Sequence, residues 1–222
     1  MRFSCVLFDL DGTLIDHFGA IHRCHAYAFR QLGRPEPTMA QVRAAVGGGL
    51  EEAITKLGGA NQLPALRAHF LEHWKKTNLE DVTALPGAHE ILRALHATGT
   101  TCAVLTNKRG YAAREVCDHL GLTPLLQAVI GAEDTAWIKP QPEFTRHALQ
   151  QLHANAADTV LIGDSPFDVA TARSGGLAFV GVTTGTHNAE ELKVAGAGRI
   201  ASDLAGVARE LGLDLAAAAP RH

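Results

Sequence analysis

The sequence lacks several features that define other classes of protein. It has only four cysteines, and none of them form a Cys-x-x-Cys pair, so we expect buried free thiols in a reducing compartment rather than disulfides or a zinc site. Lysine and arginine are scattered and the net charge is −3, whereas a nucleic-acid-binding face needs a basic stripe. No apolar run approaches the roughly 20 residues that a membrane helix needs. Residues 1–4 lead directly into a predicted strand, without the pattern of a signal peptide. We therefore expect a cytoplasmic protein with no nucleic-acid or membrane partner.

The 222 residues, of which 46% are apolar, are enough for one large domain or two modest ones. Short apolar runs alternate with segments of helical period, and the runs are continuous, as is typical of strands buried on both faces. This alternation predicts an α/β fold with a doubly wound parallel sheet. The predicted strands are Cys5–Phe8, Cys102–Leu105, Ala128–Ile130, Thr159–Ile162 and Ala178–Val180. The alanine-rich end, 215–219, is expected to be a frayed tail.

About seventy residues after the first strand contain no convincing strand. A structureless loop of that length is improbable in a compact domain, and apolar residues recur there at helical spacing, as in Phe18, Ile21, Phe29 and Leu32. We predict four helices, the second capped by Thr38. Residues 15–85 therefore form a helical domain inserted into an α/β core made of residues 1–14 and 86–222.

Two aspartates follow the first predicted strand, in the stretch Asp9-Leu10-Asp11-Gly12-Thr13. The period of two in extended chain puts both carboxylates on the same side. They cannot both ionise cheaply unless a cation lies between them. An ordinary surface turn explains the pattern equally well, because Asp-Gly is a common turn dipeptide. The carboxyl ends of the strands are where an open parallel sheet binds its ligands, which makes the other strand ends informative.

Polar residues follow three more of these strands or their loops. Thr106-Asn107-Lys108 follows the second, and a hydroxyl with a following N–H can hold a phosphate oxygen; a helix cap is the simpler interpretation. Lys139-Pro140 follows the third strand and its loop, where a lysine is often an ordinary surface residue. Gly163-Asp164-Ser165-Pro166-Phe167-Asp168 follows the fourth. There Ser165 and Pro166 suit a helix start, and Asp168 would suit the helix dipole. Each signal is weak alone, but their order and placement together are not.

In this order the four motifs resemble those of the haloacid dehalogenase superfamily, in its phosphatase branch, over nearly the whole chain. The helical insertion is similar to the mobile cap of that superfamily. Among subfamilies the sequence is most similar to the phosphoglycolate phosphatases. The stretches that carry this likeness are Asp11-Gly12-Thr13-Leu14-Ile15-Asp16, Val46-Gly47-Gly48-Gly49-Leu50, Leu85-Pro86-Gly87 and Lys139-Pro140-Gln141-Pro142-Glu143.

The resemblance implies a Mg²⁺-dependent hydrolysis of a small phosphate monoester. Asp9 would be the nucleophile that forms an aspartyl-phosphate, and Asp11 would be the general acid and base. The ion would bind Asp9, the backbone carbonyl of Asp11, and Asp164.

The resemblance also implies the residues that hold the substrate. Thr106 and Lys139 would bind the phosphoryl group with the backbone of Asn107, and Asp168 would support the metal ligands or orient Lys139. Gly48 and Gly49 would contact the substrate from the cap.

Some alternatives stay open in the sequence. A phosphomutase similar to β-phosphoglucomutase is disfavoured by Thr13, and a pyrophosphatase or a catalytically silent binder remains possible in principle. His17 and Phe167 depart from the residues common in relatives. His17 is a candidate substrate ligand, although a solvent-exposed histidine at a helix start is favoured. A monomer or homodimer is expected.

Overall fold

The computed structural model of the chain describes residues 3–215. Within this range the strands are β1 Cys5–Phe8, β2 Ile15–Asp16, β3 Thr83–Ala84, β4 Thr101–Arg109, β5 Ala128–Ala132, β6 Thr159–Gly163, β7 Ala178–Val182 and β8 Ile200–Ala201. The α-helices are α1 Phe18–Gln31, α2 Met39–Ala45, α3 Leu50–Gly58, α4 Leu63–Thr77, α5 Ala88–Ala97, α6 Gly110–His119, α7 Pro142–Gln151, α8 Pro166–Gly175, α9 Ala189–Ala195 and α10 Leu204–Glu210. The expected alanine-rich tail lies, from residue 216 on, outside the described residues.

Six strands form one sheet in the order β5-β4-β1-β6-β7-β8. The paired strands in this sheet run parallel, and β1 lies between β4 and β6, with Cys5 opposite both Thr101 and Thr159. All four residues of β1 are buried, since helices cover both faces of such a sheet and no position needs to be polar. The predicted α/β fold with a parallel sheet is confirmed.

Strand β4 is longer than the sequence pattern predicts. It extends four residues beyond Leu105, so Thr106, Asn107 and Lys108 lie in the strand rather than after it. Its pairing with β5 is irregular there: Leu105 lies opposite Ile130, and the next pair is Arg109 with Ala132. Such an irregularity bends a strand and re-aims its side chains. The polar residues therefore turn towards the carboxyl edge of the sheet without leaving the strand.

Three strands were not predicted, namely β2, β3 and β8. Each has two residues, which is too short for a period of two to show in the sequence. Strands β2 and β3 pair with each other in a separate two-stranded sheet.

The chain divides into two compact units. One comprises residues 16–83, and the other comprises the described residues before and after it. The first unit contains the four helices α1–α4, which lie where the apolar spacing predicts them. Thr38 caps α2 as expected: Gln41 N donates to Thr38 Oγ1 at 3.2 Å, and Thr38 N donates to Gln41 Oε1 at 2.8 Å. We call residues 16–83 the helical unit and the rest the core unit.

The interior of the helical unit contains a histidine. His25 is 1% exposed and its ring packs on Phe70, with 4.7 Å between ring centroids. Its Nε2 has no hydrogen-bond partner among the described residues. Burial lowers the pKa of His25 to about 4, and the nearby His22 adds to this effect. His25 is therefore neutral in the folded protein at pH values where an exposed histidine takes up a proton.

We expect His25 to make the folded state less stable in mild acid. As the pH falls from about 6.5 to about 4, the unfolded chain binds a proton at this residue and the folded chain does not, so stability present above pH 6.5 is lost over that window. The loss attributable to His25 is about 3 kcal/mol. Urea unfolding at pH 7 and pH 4.5 measures it, and His25→Leu should show a smaller loss than the wild type by this amount. The exposed His119 supplies the control His119→Gln, and equal losses in wild type and His25→Leu would contradict the prediction.

All four cysteines are free and buried, as expected. Burial raises the pKa of Cys5 to about 11 and that of Cys102 to about 12, so these thiols are inert structural residues. Among the described helices, none has the length and apolar character needed to cross a membrane.

Candidate active site

A buried ammonium group lies at the carboxyl edge of the sheet, between two carboxylates. Asp9 directly follows β1, and its Oδ1 accepts a hydrogen bond of 2.7 Å from Lys139 Nζ. The same Nζ donates to Asp168 Oδ1, also at 2.7 Å. Lys139 is 2% exposed. Burial works to lower the pKa of Lys139, but the charges of Asp168 and Asp9 outweigh it and raise the pKa well above its ordinary value. Lys139 is therefore a permanent cation.

Asp168 joins this cation to the start of helix α8. Its Oδ2 accepts hydrogen bonds from Ser165 N at 3.1 Å and Ser165 Oγ at 2.6 Å, while Oδ1 holds Lys139. Ser165 is the N-cap and Pro166 the first residue of α8, as the sequence predicts. The two sequence interpretations of Asp168, a helix-start residue and a residue that orients Lys139, therefore both describe its contacts.

Asp164, which follows β6, brings a third carboxylate to the same place. Ligand oxygens of Asp9, Asp164 and Asp168 lie within 4.8 Å of one another, and all three residues are buried. Burial raises the pKa of Asp164 to about 8, with the charges of Asp9 and Asp168 adding to it. Burial likewise raises the pKa of Asp9 to about 6, although Lys139 opposes the shift. When all three carboxylates are ionised, the single ammonium of Lys139 leaves two negative charges uncompensated.

Asp11 lies two residues beyond Asp9 and makes a separate ion pair. Lys108 Nζ lies 3.1 Å from Asp11 Oδ1 and 3.0 Å from Oδ2. Both side chains are largely buried, with 7% of Lys108 and 11% of Asp11 exposed. Gly12 then reverses the chain at φ +87°, which glycine adopts without strain. The sequence points to Asp11 but gives Lys108 no role, because their contact depends on the register of β1 against β4.

Thr106 and Asn107 lie on β4 beside this group, both buried. Thr106 Oγ1 accepts from Lys108 N at 3.2 Å. The side chain of Asn107 binds the backbone of Lys139 twice: Nδ2 donates to Lys139 O at 3.1 Å, and Oδ1 accepts from Lys139 N at 2.8 Å. The sequence predicts a substrate contact by the backbone of Asn107; the structure adds that its amide side chain fixes the position of Lys139.

A fifth strand end also contributes residues, which the sequence prediction missed. The loop after β7, residues 183–187, brings Thr186 onto Asp164, with Thr186 N donating to Asp164 Oδ2 at 2.7 Å. The signal was present, since the predicted strand Ala178–Val180 leads into the polar stretch Thr183-Thr184-Gly185-Thr186-His187. Polar residues beyond a buried strand, or beyond its loop, therefore mark the site at all five predicted strands and not only at four.

The remaining predicted residues lie in the helical unit. His17 is the N-cap of α1 and is 1% exposed, so the favoured prediction of a solvent-exposed histidine is wrong. The reason is packing: its Nε2 donates to the carbonyl of Asn78 and its ring lies 5.0 Å from that of Trp74. Gly49 is the N-cap of α3, with Gly48 before it. The substrate contacts of His17, Gly48 and Gly49 stay predictions.

The fold is of the doubly wound α/β class, and it gathers buried carboxylates and an ammonium at the carboxyl edge of the sheet, where proteins of this class bind their ligands. Comparison with known proteins identifies its family. The sequence model of the haloacid dehalogenase-like hydrolases matches residues 6–182, and the chain belongs to this family. The family resemblance inferred from the four motifs is confirmed, and the chain is a hydrolase.

Individual relatives cover most of the chain. A 5'-nucleotidase of Pseudomonas aeruginosa is 31% identical over 213 residues, which span 95% of this chain and 96% of that protein. A phosphoglycolate phosphatase of Rhodobacter capsulatus is 35% identical over 187 residues, 81% of this chain and 84% of that protein. A crystal structure described as a predicted phosphoglycolate phosphatase from Haemophilus somnus superposes with a TM-score of 0.88 at 22% identity, over 95% of this chain and 98% of that one; this likeness concerns the fold alone.

Proposed function

We propose that this hydrolase is a Mg²⁺-dependent phosphatase that hydrolyses a small phosphate monoester through an aspartyl-phosphate on Asp9. The observation that carries the proposal is the Lys139 ammonium held at 2.7 Å from both Asp9 and Asp168, next to a third buried carboxylate. Relatives named as a 5'-nucleotidase and a phosphoglycolate phosphatase support the substrate class. A phosphate monoester is a small dianion, and its hydrolysis needs charge neutralisation and in-line positioning more than a large binding surface.

The residues fit a divalent cation of the magnesium type. The oxygens of Asp9, Asp164 and Asp168 come within 4.8 Å of one another, and carboxylate oxygens are the ligands that Mg²⁺ prefers. The two negative charges that Lys139 leaves uncompensated equal the charge of one such ion. Burial raises the pKa values of both Asp9 and Asp164, and the neighbouring carboxylates add to the shifts, since a buried carboxylate without enough positive charge beside it holds its proton more tightly. Asp9, Asp164 and the backbone carbonyl of Asp11 would hold the ion, which when bound neutralises charge on the transferring phosphoryl group.

In the first half of the reaction the phosphoryl group is transferred to Asp9, and each residue of the site has a separate role. A carboxylate oxygen of Asp9 forms a bond to phosphorus as the bond between phosphorus and the leaving oxygen breaks. Asp11 gives a proton to that leaving oxygen, which departs as an alcohol. Lys139 and the Thr106 hydroxyl bind the phosphoryl oxygens. Asn107 and Asp168 keep Lys139 in place through the contacts on its backbone and its ammonium.

In the second half of the reaction the aspartyl-phosphate on Asp9 is hydrolysed. Asp11, now a carboxylate, takes a proton from a water molecule whose oxygen attacks phosphorus, and the bond between phosphorus and Asp9 breaks to release inorganic phosphate. Lys108, at 3.0 Å from Asp11 Oδ2, compensates the negative charge of Asp11 at this stage and fixes its orientation. The two lysines therefore serve different carboxylates: Lys139 serves Asp9 and Lys108 serves Asp11.

A panel of phosphate esters tests the proposed function. Phosphate release should be measured for 2-phosphoglycolate, nucleoside monophosphates, hexose phosphates, pyrophosphate and a chromogenic ester, each with Mg²⁺ and with EDTA. We expect release that requires Mg²⁺ and is fastest with a small monoester. An Asp9→Asn sample purified in the same way controls for contaminating phosphatases. Mg²⁺-independent release, or none from any ester, would refute the proposal, and isomerisation of a hexose phosphate without release would indicate a mutase.

A further inference from the structure

Thr186 lies outside the predicted motifs, yet it makes two hydrogen bonds to one carboxylate oxygen of Asp164, a proposed metal ligand. Thr186 N donates to Asp164 Oδ2 at 2.7 Å, and Thr186 Oγ1 donates to the same oxygen at 2.9 Å. A carboxylate oxygen has two lone pairs, so Thr186 uses both of those on Oδ2. On the other oxygen, Oδ1, Thr13 Oγ1 makes a longer bond of 3.3 Å. Within the described residues, the lone pair that these contacts leave on Asp164 is therefore on Oδ1.

The backbone of the same loop is packed against Asp164 without space for a side chain. A Cβ atom on Gly185 would lie 1.9 Å from Asp164 Oδ2, which is far inside van der Waals contact. Thr184 Oγ1 donates to the carbonyl of Gly12 at 2.7 Å, so the loop is also bound to the turn that follows Asp11. Residues 184–186 are thus held on both sides, and the direction of the two Thr186 hydrogen bonds is fixed.

His187 holds Thr186 in turn. Its Nδ1 lies 2.8 Å from Thr186 Oγ1. The Thr186 hydroxyl donates its hydrogen to Asp164. In the bond with His187, Thr186 Oγ1 is therefore the acceptor and His187 Nδ1 is the donor. The three residues form a chain of hydrogen bonds from His187 through Thr186 to Asp164, in which each bond polarises the next.

We infer that Thr186 and His187 are positioning residues for the divalent cation: they orient Asp164 so that Oδ1 is the oxygen it offers to the ion. The inference rests on the proposed function, because the ion belongs to it. Groups that hydrogen-bond a ligating carboxylate fix its direction, and their removal typically lowers metal affinity by about 10- to 100-fold. Thr186 acts directly on the ligand, and His187 acts through Thr186.

Metal binding tests the inference independently of turnover. Mn²⁺ binding is followed by the EPR signal of the free ion, and Mg²⁺ binding by competition, for wild type, Thr186→Val, Thr186→Ser and His187→Ala. We expect Thr186→Val to weaken binding at least about tenfold and Thr186→Ser to restore it. His187→Ala should weaken binding less, since both Thr186 hydrogen bonds to Asp164 remain. Thr183→Val is the matched control: among residues 3–215 its hydroxyl makes a single long contact of 3.5 Å, with Ser202 O, and this variant should bind as wild type does.

Two results would overturn the inference in distinguishable ways. If the wild type binds both ions and Thr186→Val and His187→Ala bind them with the wild-type Kd, the positioning role is wrong and the proposed function stands. If the wild type binds neither ion, the proposed metal site itself is wrong. Unfolding of each variant in EDTA checks the fold, and should Thr186→Val fail to fold, the comparison of Thr186→Ser with His187→Ala carries the test.

Discussion

Replacing Asp9 with asparagine is expected to reduce phosphate release by at least about a thousandfold and to leave the chain folded. An amide is not a nucleophile towards phosphorus, but its oxygen can still accept the hydrogen bond from Lys139. Stability should not suffer: burial raises the pKa of Asp9 to about 6, so at neutral pH the ionised carboxylate costs the folded metal-free protein free energy that an uncharged asparagine does not. Steady-state phosphate release gives the first result, and thermal unfolding in EDTA gives the second, with a Tm at least equal to that of the wild type.

The control for this substitution is an aspartate in the core unit away from the site. Asp158 is exposed, and Asp158→Asn should keep wild-type turnover. Incubation with a substrate should also label the wild type with phosphate at Asp9 and fail to label Asp9→Asn, as mass spectrometry of the intact chain would show. Turnover by Asp9→Asn near the wild-type rate would rule out the covalent mechanism.

Replacing Lys139 with methionine is expected to abolish activity and also to destabilise the metal-free protein. The ammonium is the shared partner of Asp9 and Asp168 at 2.7 Å, and removing one partner of a buried ion pair leaves uncompensated charge at a cost of about 3–5 kcal/mol. The loss should shrink as the pH falls, because Asp9, whose pKa burial raises to about 6, then takes up a proton and no longer needs a positive partner. Urea unfolding in EDTA at several pH values measures the loss of stability and its pH dependence, and steady-state phosphate release measures the loss of activity.

An exposed lysine provides the matched control for the methionine substitution. Lys193, in the last turn of α9, lies on the surface, and Lys193→Met should change the unfolding free energy by no more than about 0.5 kcal/mol. If Lys139→Met unfolds at the wild-type urea concentration, the ammonium does not compensate the carboxylates as its geometry indicates.

The sequence predicts features of the site that depend on local order along the chain. Asp9, Asp164 and Ser165 stand directly after apolar runs or at a helix start, and these patterns need only a few neighbouring residues to be recognised. The contacts between distant segments are different. The pair of Asp11 with Lys108 and the clamp of Asn107 on Lys139 depend on strand order and register, which no local pattern encodes. The irregular end of β4 was missed for the same reason, since polar residues at a strand end look like a loop.

In the helical unit, too, local patterns predict the elements but not the contacts between them. Apolar spacing predicts each of its four helices, but not which polar residues their packing buries. The sequence favours a solvent-exposed His17, and it places His25 at the helical spacing of Phe18, Ile21 and Phe29 without indicating what it contacts; both histidines are 1% exposed. Burial of a histidine depends on which aromatic residues another helix brings to it, here Trp74 and Phe70 of α4.

The position of β1 between β4 and β6 has a consequence for the synthesis of the chain. Strand β1 is translated before both of its partner strands, which follow only at Thr101 and Thr159. Asp9, the proposed nucleophile, gains its ammonium partner, Lys139, 130 residues later. Until β6 has been translated, the nascent chain carries an apolar strand with an open edge, the kind of edge along which chains aggregate. Residues 16–83 are contiguous, so the helical unit is complete well before the candidate site, which can form only after Asp164, Asp168 and Thr186 have been made.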